Sequence, residues 1–238
     1  MKKIIITLIL NILVSTIYCQ TNDSTSIKLT QELEKIYARE YINGFSVAIV
    51  NQDGVLYEKG FGYSNIKANK KYTNNTIQNI ASISKTFIGI ALLKAQELGK
   101  LNLEDPINKY LPFDVSNPHF PNEQITIRQL ATHTSSIKDP SRYEKNGYIL
   151  KEAENKEAKV NRNFRSPSEK MVLDEFLKNI LSQDGKWYKK NNFLKIKPGA
   201  IFEYSNVAAG LAALIIEKAT NQSFNKFTNE YIWLRRFI

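Results

Sequence analysis

The chain has 238 residues, is 42% hydrophobic and 24% charged, and carries a formal net charge of +10, enough for a sizeable core in one large domain or two intimate lobes. Its one cysteine, Cys19, excludes a disulfide framework, a thiolate metal cluster and a cysteine nucleophile, and two histidines without a compact carboxylate pattern leave no ligand set for a metal, so no cofactor is expected. The basic balance is read as a solvated face rather than a nucleic-acid surface, because lysines such as Lys151, Lys156 and Lys159 alternate with Glu152, Glu154 and Glu157.

The first element is a targeting segment. Lys2 and Lys3 precede an apolar run from Ile4 to Val14, and a short polar stretch leads to Cys19 and Gln20. The run is short for a membrane span, so residues 1–19 are expected to be a cleaved secretory signal, with no stable membrane anchor afterwards and a mature chain of 20–238. Leu29, Leu33, Ile36 and Tyr37 then recur at helical spacing within Ile27 to Tyr41. Phe45, Val47 and Ile49 alternate, Asp53-Gly54 offers a tight turn, and a return strand starts at Val55, which predicts a hairpin over Phe45 to Tyr63. Ser82 to Leu98 is the next helix, stopped at Gly99, and "FIGIALL" within it is apolar nearly all round, so it is expected to be buried. Prolines break the chain from Leu101 to Ile137. A charged stretch follows, with an amphipathic helix over Met171 to Leu181, and "KPGAIFEYSN" turns into an apolar helix from Val207 to Ala219.

Within "ASISKTF" Ser82 and Lys85 form an S-x-x-K pair, a pattern that also occurs at Ser64/Lys67, Ser135/Lys138 and Ser223/Lys226. Ser82 alone opens a long apolar helix, where residues three apart share a face and a hydroxyl lies near the positive end of the helix dipole. A serine becomes a nucleophile when a base takes its proton, and a lysine can do so if burial lowers its pKa. For this pair alone, an N-terminal cap and a snorkelling lysine is the better account. A second element shifts the balance. Of four Y-x-N triplets, Tyr204/Asn206 is the one that follows Ser82, in a Pro-Gly turn entering an apolar helix. There a phenol can relay a proton and an amide can hold a substrate carbonyl.

"ASISKTF", "LGKLNLEDPINKYLP", "ITIRQLATHTSSI" and "KPGAIFEYSNVAAGLAALIIEKAT", in that order and spacing from Gly44 onward, resemble successive signatures of the serine beta-lactamase and penicillin-binding protein superfamily. Y-x-N makes the chain similar to the class C branch, which also holds D-aminopeptidases, DD-carboxypeptidases and esterases. The resemblance implies a mixed α/β (α+β) fold, a helical region beside an antiparallel sheet. It implies an exported, periplasmic or secreted serine hydrolase that forms an acyl-enzyme on Ser82 with a beta-lactam, a D-amino-acid peptide or a small ester. Lys85 and Tyr204 then handle the proton, Asn206 orients the substrate, and the Ser82 N–H is one oxyanion donor. His133 in "LATHTSS" is implied to be structural, and Ser136 stands where the pattern usually has glycine.

The family's third motif, K-T-G or H-x-G on a later strand, does not follow Asn206 before Ile238. The expectation is therefore a truncated domain whose C-terminal strands are missing through a frameshift or early stop. Such a domain loses one oxyanion donor, which costs about 100- to 1,000-fold in rate. The competing reading is a catalytically silent remnant that binds peptidoglycan- or penicillin-like ligands. A third, a basic binder of envelope polymers, rests on charge alone.

Overall fold

The structure is a computed structural model that describes residues 24–149 and 164–233. The expected signal segment, the lysine and glutamate alternation from 151 to 159 and the last five residues lie outside them. Two compact units are distinguished, residues 1–79 and residues 80–238.

The first unit holds helix α1 (Ser24–Tyr37) and an antiparallel sheet of β1 (Gly44–Asn51), β2 (Gly54–Asn65) and β3 (Lys70–Lys71) in that order. The expected hairpin is present. Its register pairs Gly44 with Gly62 and Asn51 with Gly54, with an irregularity at Ile49/Val50. The Asn51 side-chain carbonyl accepts from the N–H groups of Asp53 and Gly54, which closes the turn. Gly62 has φ +69°, and a Cβ there would lie 2.4 Å from the Asn43 carbonyl and 2.3 Å from the Tyr37 ring, so the close seat of α1's last residue on β2 requires glycine. Phe61 is buried and stacks on Phe45, whereas Ile49, Val50, Val55 and Leu56 are exposed.

In the second unit a 3₁₀ turn (Ala81–Ser84) runs into α2 (Lys85–Glu97), followed by α3 (Ile127–Ala131), α4 (Ser141–Asn146), α5 (Leu173–Leu181), α6 (Asn206–Thr220) and α7 (Phe224–Thr228). The centre of its core is α6, in which every residue from Val207 to Ile216 except Gly210 is buried. Alanines at 208, 209, 212 and 213 give neighbouring helices close access, while Leu211, Leu214 and Ile215 supply apolar bulk. The expectation for α2 is corrected. Only Ala91, Leu92 and Ala95, one face at helical spacing, are buried, and Ile90 and Leu93 are exposed. Gly99 ends this helix at φ +65°, with the Lys100 N–H returning to the Ala95 carbonyl as in a Schellman closure.

Two connections position the site. Thr126 and Gln129 form a reciprocal capping box at the start of α3, so "ITIRQLA" is a short, well-anchored helix. Beyond it, Ile137 pairs antiparallel with Phe193, the Lys138 N–H donates to the Asn192 carbonyl and the Leu194 N–H to the Ser136 carbonyl. The chain thus leaves at residue 139 and returns at residue 192 through neighbouring points.

Candidate active site

Ser82 lies in the 3₁₀ turn, three residues before the first residue of α2, and Ala81 ahead of it adopts φ +47°. A left-handed alanine is sterically costly and is held only where the surroundings fix it. The turn sets Ser82 and Lys85 on one side, and the Lys85 Nζ donates to the Ser82 Oγ at 3.2 Å. Lys85 is half-buried and Ser82 exposed, so the deep burial expected from the following apolar run is not what shapes the pair.

Tyr204, 122 residues later in the chain, brings its hydroxyl to the same serine, with its OH donating to Ser82 Oγ at 2.9 Å. The Asn206 side-chain carbonyl is a second acceptor for that phenol at 3.3 Å. The Lys85 ammonium sits 5.3 Å from the centre of the Tyr204 ring. Hydrogen bonding from Lys85, then from Ser82, lowers the Tyr204 pKa from its ordinary value. All four residues singled out by the sequence are therefore brought together, and they come from two segments, the entry to α2 and the entry to α6.

Two residues hold the second segment, and the sequence pointed to only one. Asp139 was missed. Its Oδ1 accepts from the Ser205 hydroxyl and the Val207 N–H, both at 2.9 Å, and its Oδ2 from the Asn206 N–H at 2.9 Å and the Asn206 side-chain amide at 2.6 Å. A carboxylate from a distant loop thus caps α6, where the helix dipole is positive, while Ser205 accepts from the Ala208 N–H as the local cap. Locally "KDP" reads as no more than a turn, since its partners are more than 60 residues away. His133 has the structural place that was expected. Its Nδ1 accepts from the Ser205 N–H at 3.2 Å, and its ring lies 4.7 Å from that of Tyr204. Burial, reinforced by the Lys85 charge, lowers its pKa below the usual histidine value, in keeping with a neutral ring that accepts at Nδ1. The backbone completes the frame, because the Glu203 N–H donates to the His133 carbonyl and the Gly199 N–H to that of Thr134.

This geometry joins a serine at a helix entry to a distant tyrosine and asparagine, and a family model described as Beta-lactamase matches residues 29–235. The chain belongs to the beta-lactamase family. Among family relatives it is 34% identical over 217 residues to "Protein flp" of Staphylococcus aureus (strain N315), an alignment that covers 89% of this chain and 37% of that protein. It is 27% identical over 201 residues to "Penicillin-binding protein 4*" of Bacillus subtilis (strain 168), over 84% of this chain and 38% of that protein. The solved octameric penicillin-binding protein homologue from Pyrococcus abyssi matches with a TM-score of 0.57 and 25% identity, over 86% of this chain and 41% of that chain. The chain thus spans less than two-fifths of the length of these two curated relatives. The fold is the mixed α/β fold of this family, with an antiparallel sheet in one unit and helices in the other.

Proposed function

We propose that this beta-lactamase-family protein is an exported serine hydrolase that forms an acyl-enzyme on Ser82. The observation that carries the reading is the convergence of the Lys85 Nζ and the Tyr204 hydroxyl on one serine oxygen from opposite ends of the second unit's sequence. Ser82 Oγ attacks the substrate carbonyl carbon while its proton passes to the deprotonated, phenolate form of Tyr204, which the lowered pKa beside Lys85 makes more accessible. The Ser82 N–H, at the start of a helical turn, faces the developing oxyanion. The proton then goes from Tyr204 to the departing nitrogen or oxygen as its bond to the carbonyl carbon breaks, and water releases the acyl group. The Asn206 amide has two N–H groups, of which one is engaged by Asp139, and the other holds the substrate carbonyl.

The substrate class is a beta-lactam, a D-amino-acid peptide or a small ester. The likeness to a penicillin-binding protein supports the first two. Export rests on the basic and apolar start of the sequence. Among the described residues no helix is long and apolar enough to cross a membrane.

Incubation with a fluorescent penicillin and, separately, a fluorophosphonate, followed by intact mass measurement, tests the reading. An adduct with either probe that disappears in Ser82→Ala and forms about 100- to 10,000-fold more slowly in Tyr204→Phe supports it. A protein that is folded by circular dichroism yet takes up neither probe sinks it and leaves the silent ligand-binding remnant in its place.

A further inference from the structure

A cavity of about 200 Å³ lies where the chain leaves at residue 139 and returns at residue 192. Lys138 and Arg142 line it from the outgoing segment and Lys189 from the returning one, and the bond from the Lys138 N–H to the Asn192 carbonyl holds the two segments together. Among the described residues none of these three cations has an ion-pair partner, whereas Lys94, Lys178, Lys197 and Lys218 of the same unit are each paired with a carboxylate. Asp139 also lines the cavity, but its two oxygens accept four hydrogen bonds from residues 205–207. Its acceptor capacity is spent on the cap of α6, and three cations against one carboxylate leave a formal excess of two positive charges. Like charges gathered in a concavity repel one another, and nothing in the packing of these exposed or half-buried side chains requires them there. The rest of the lining suits an oxyanion attached to a flat group. Ser141 and Asn191 contribute a hydroxyl and an amide, and Trp187, half-buried and in a T-shaped contact with Phe176 at 5.8 Å, is an aromatic wall.

We propose that this cavity binds the phosphate group of a phosphomonoester whose organic part is a ring lying against Trp187. A phosphomonoester carries a charge of about −1.5 to −2 at pH 7, which matches the excess, and its three terminal oxygens can accept from guanidinium, ammonium and hydroxyl donors together. A carboxylate has one charge and two oxygens, and would leave about half of the excess unmatched. The cavity is smaller than the roughly 300 to 1,000 Å³ of pockets that enclose a whole ligand, so it takes the phosphate and the near edge of the ring while the remainder stays in solvent. Ser82, Lys85, Tyr204 and Asn206 do not line it. It is therefore a recognition site beyond the acylation chemistry, and it stands or falls independently of that chemistry.

The chain has two tryptophans, Trp187 and Trp233, so Trp233→Phe leaves Trp187 as the sole fluorescent reporter of the cavity. Phenyl phosphate titrated into that protein, at a constant ionic strength of about 0.15 M, should change the Trp187 emission saturably with a Kd below about 5 mM. Benzoate, which carries the same ring on a carboxylate, should bind at least about fivefold more weakly. Adding Arg142→Gln and Lys189→Gln should weaken phenyl phosphate at least about tenfold. The control pair Lys67→Gln and Lys100→Gln removes the same charge elsewhere and should change binding by less than about twofold. All four positions are exposed, and circular dichroism checks that both double variants fold. Equal weakening in the two pairs would reduce the effect to general attraction by a basic protein and overturn the site. Benzoate binding as tightly as phenyl phosphate would hand the cavity to carboxylates, and no saturable change at about 20 mM would leave it without a ligand, so either result overturns the inference as well. Adding Ser82→Ala should leave binding unchanged, whereas loss of binding in that variant would put the ligand in the acylation site and refute a separate cavity.

Discussion

Ala81, His133 and Ser136 hold φ values of +47°, +55° and +62°, three left-handed non-glycine residues next to the segments that carry the site. Ser136 accounts for the glycine usual at that place in the motif, since glycine adopts this conformation without strain. The serine offsets part of the cost, because its Oγ accepts from the buried Asn117 amide at 2.8 Å. Ser136→Gly is therefore expected to change stability by less than about 1 kcal/mol, while Ser136→Val, β-branched and without the acceptor, should lose more than about 2 kcal/mol, both read from urea unfolding. His133 yields a pH prediction. Its native pKa lies below the ordinary value, so the unfolded chain binds a proton more readily. The stability it contributes is complete above the ordinary histidine pKa and is lost as pH falls from there to the depressed native value. The melting temperature should fall as the pH drops through and below the ordinary histidine pKa of about 6.5, and His133→Gln should flatten that slope. If the slope survives the substitution, His133 is not its source.

At the scale of elements, the entry to α6 depends on a carboxylate that is remote in sequence. Asp139→Ala removes four charge-assisted hydrogen bonds from Ser205, Asn206 and Val207, and is predicted to cost about 2 to 4 kcal/mol in chemical denaturation. Asp139→Asn should cost less in stability yet still slow probe labelling of Ser82, because an amide N–H would face the Asn206 N–H and disturb the Tyr204–Asn206 turn. Labelling at the parental rate in Asp139→Asn would separate the cap from the site. The elements themselves were largely legible. The hairpin, the helix ended by Gly99, α5 and α6 all follow from periodicity and turn residues, and Ser82, Lys85, Tyr204 and Asn206 from motif context. Asp139 was not legible, because a cap supplied across 67 residues leaves no local pattern. Nor was the exposure of Ile90 and Leu93, since an all-apolar helix does not declare which face its neighbours cover.

Across the whole molecule, formal charge and the proposed leader bear on where the protein is proposed to work rather than on its chemistry. If the leader is processed as proposed, N-terminal sequencing of protein recovered from outside the cytoplasm should begin near Gln20, and a start at Met1 would contradict export by cleavage. The family and the fold are established by the match over residues 29–235, and the site geometry agrees with the motif order from which they were anticipated.

The adjacent exit and return points at Asp139 and Asn192 have an evolutionary consequence. The 136–138 backbone is tied to 192–194, and Asp139 is tied to α6, so the excursion between them begins and ends on fixed ground. Chain can be added or exchanged inside it at little entropic cost, because loop closure grows only slowly with length. A single residue inserted between Ser136 and Asp139 would instead slip the pairing and uncouple the two motif segments. Changes of length within this excursion are thus expected to leave the Ser82, Lys85, Tyr204 and Asn206 arrangement in place.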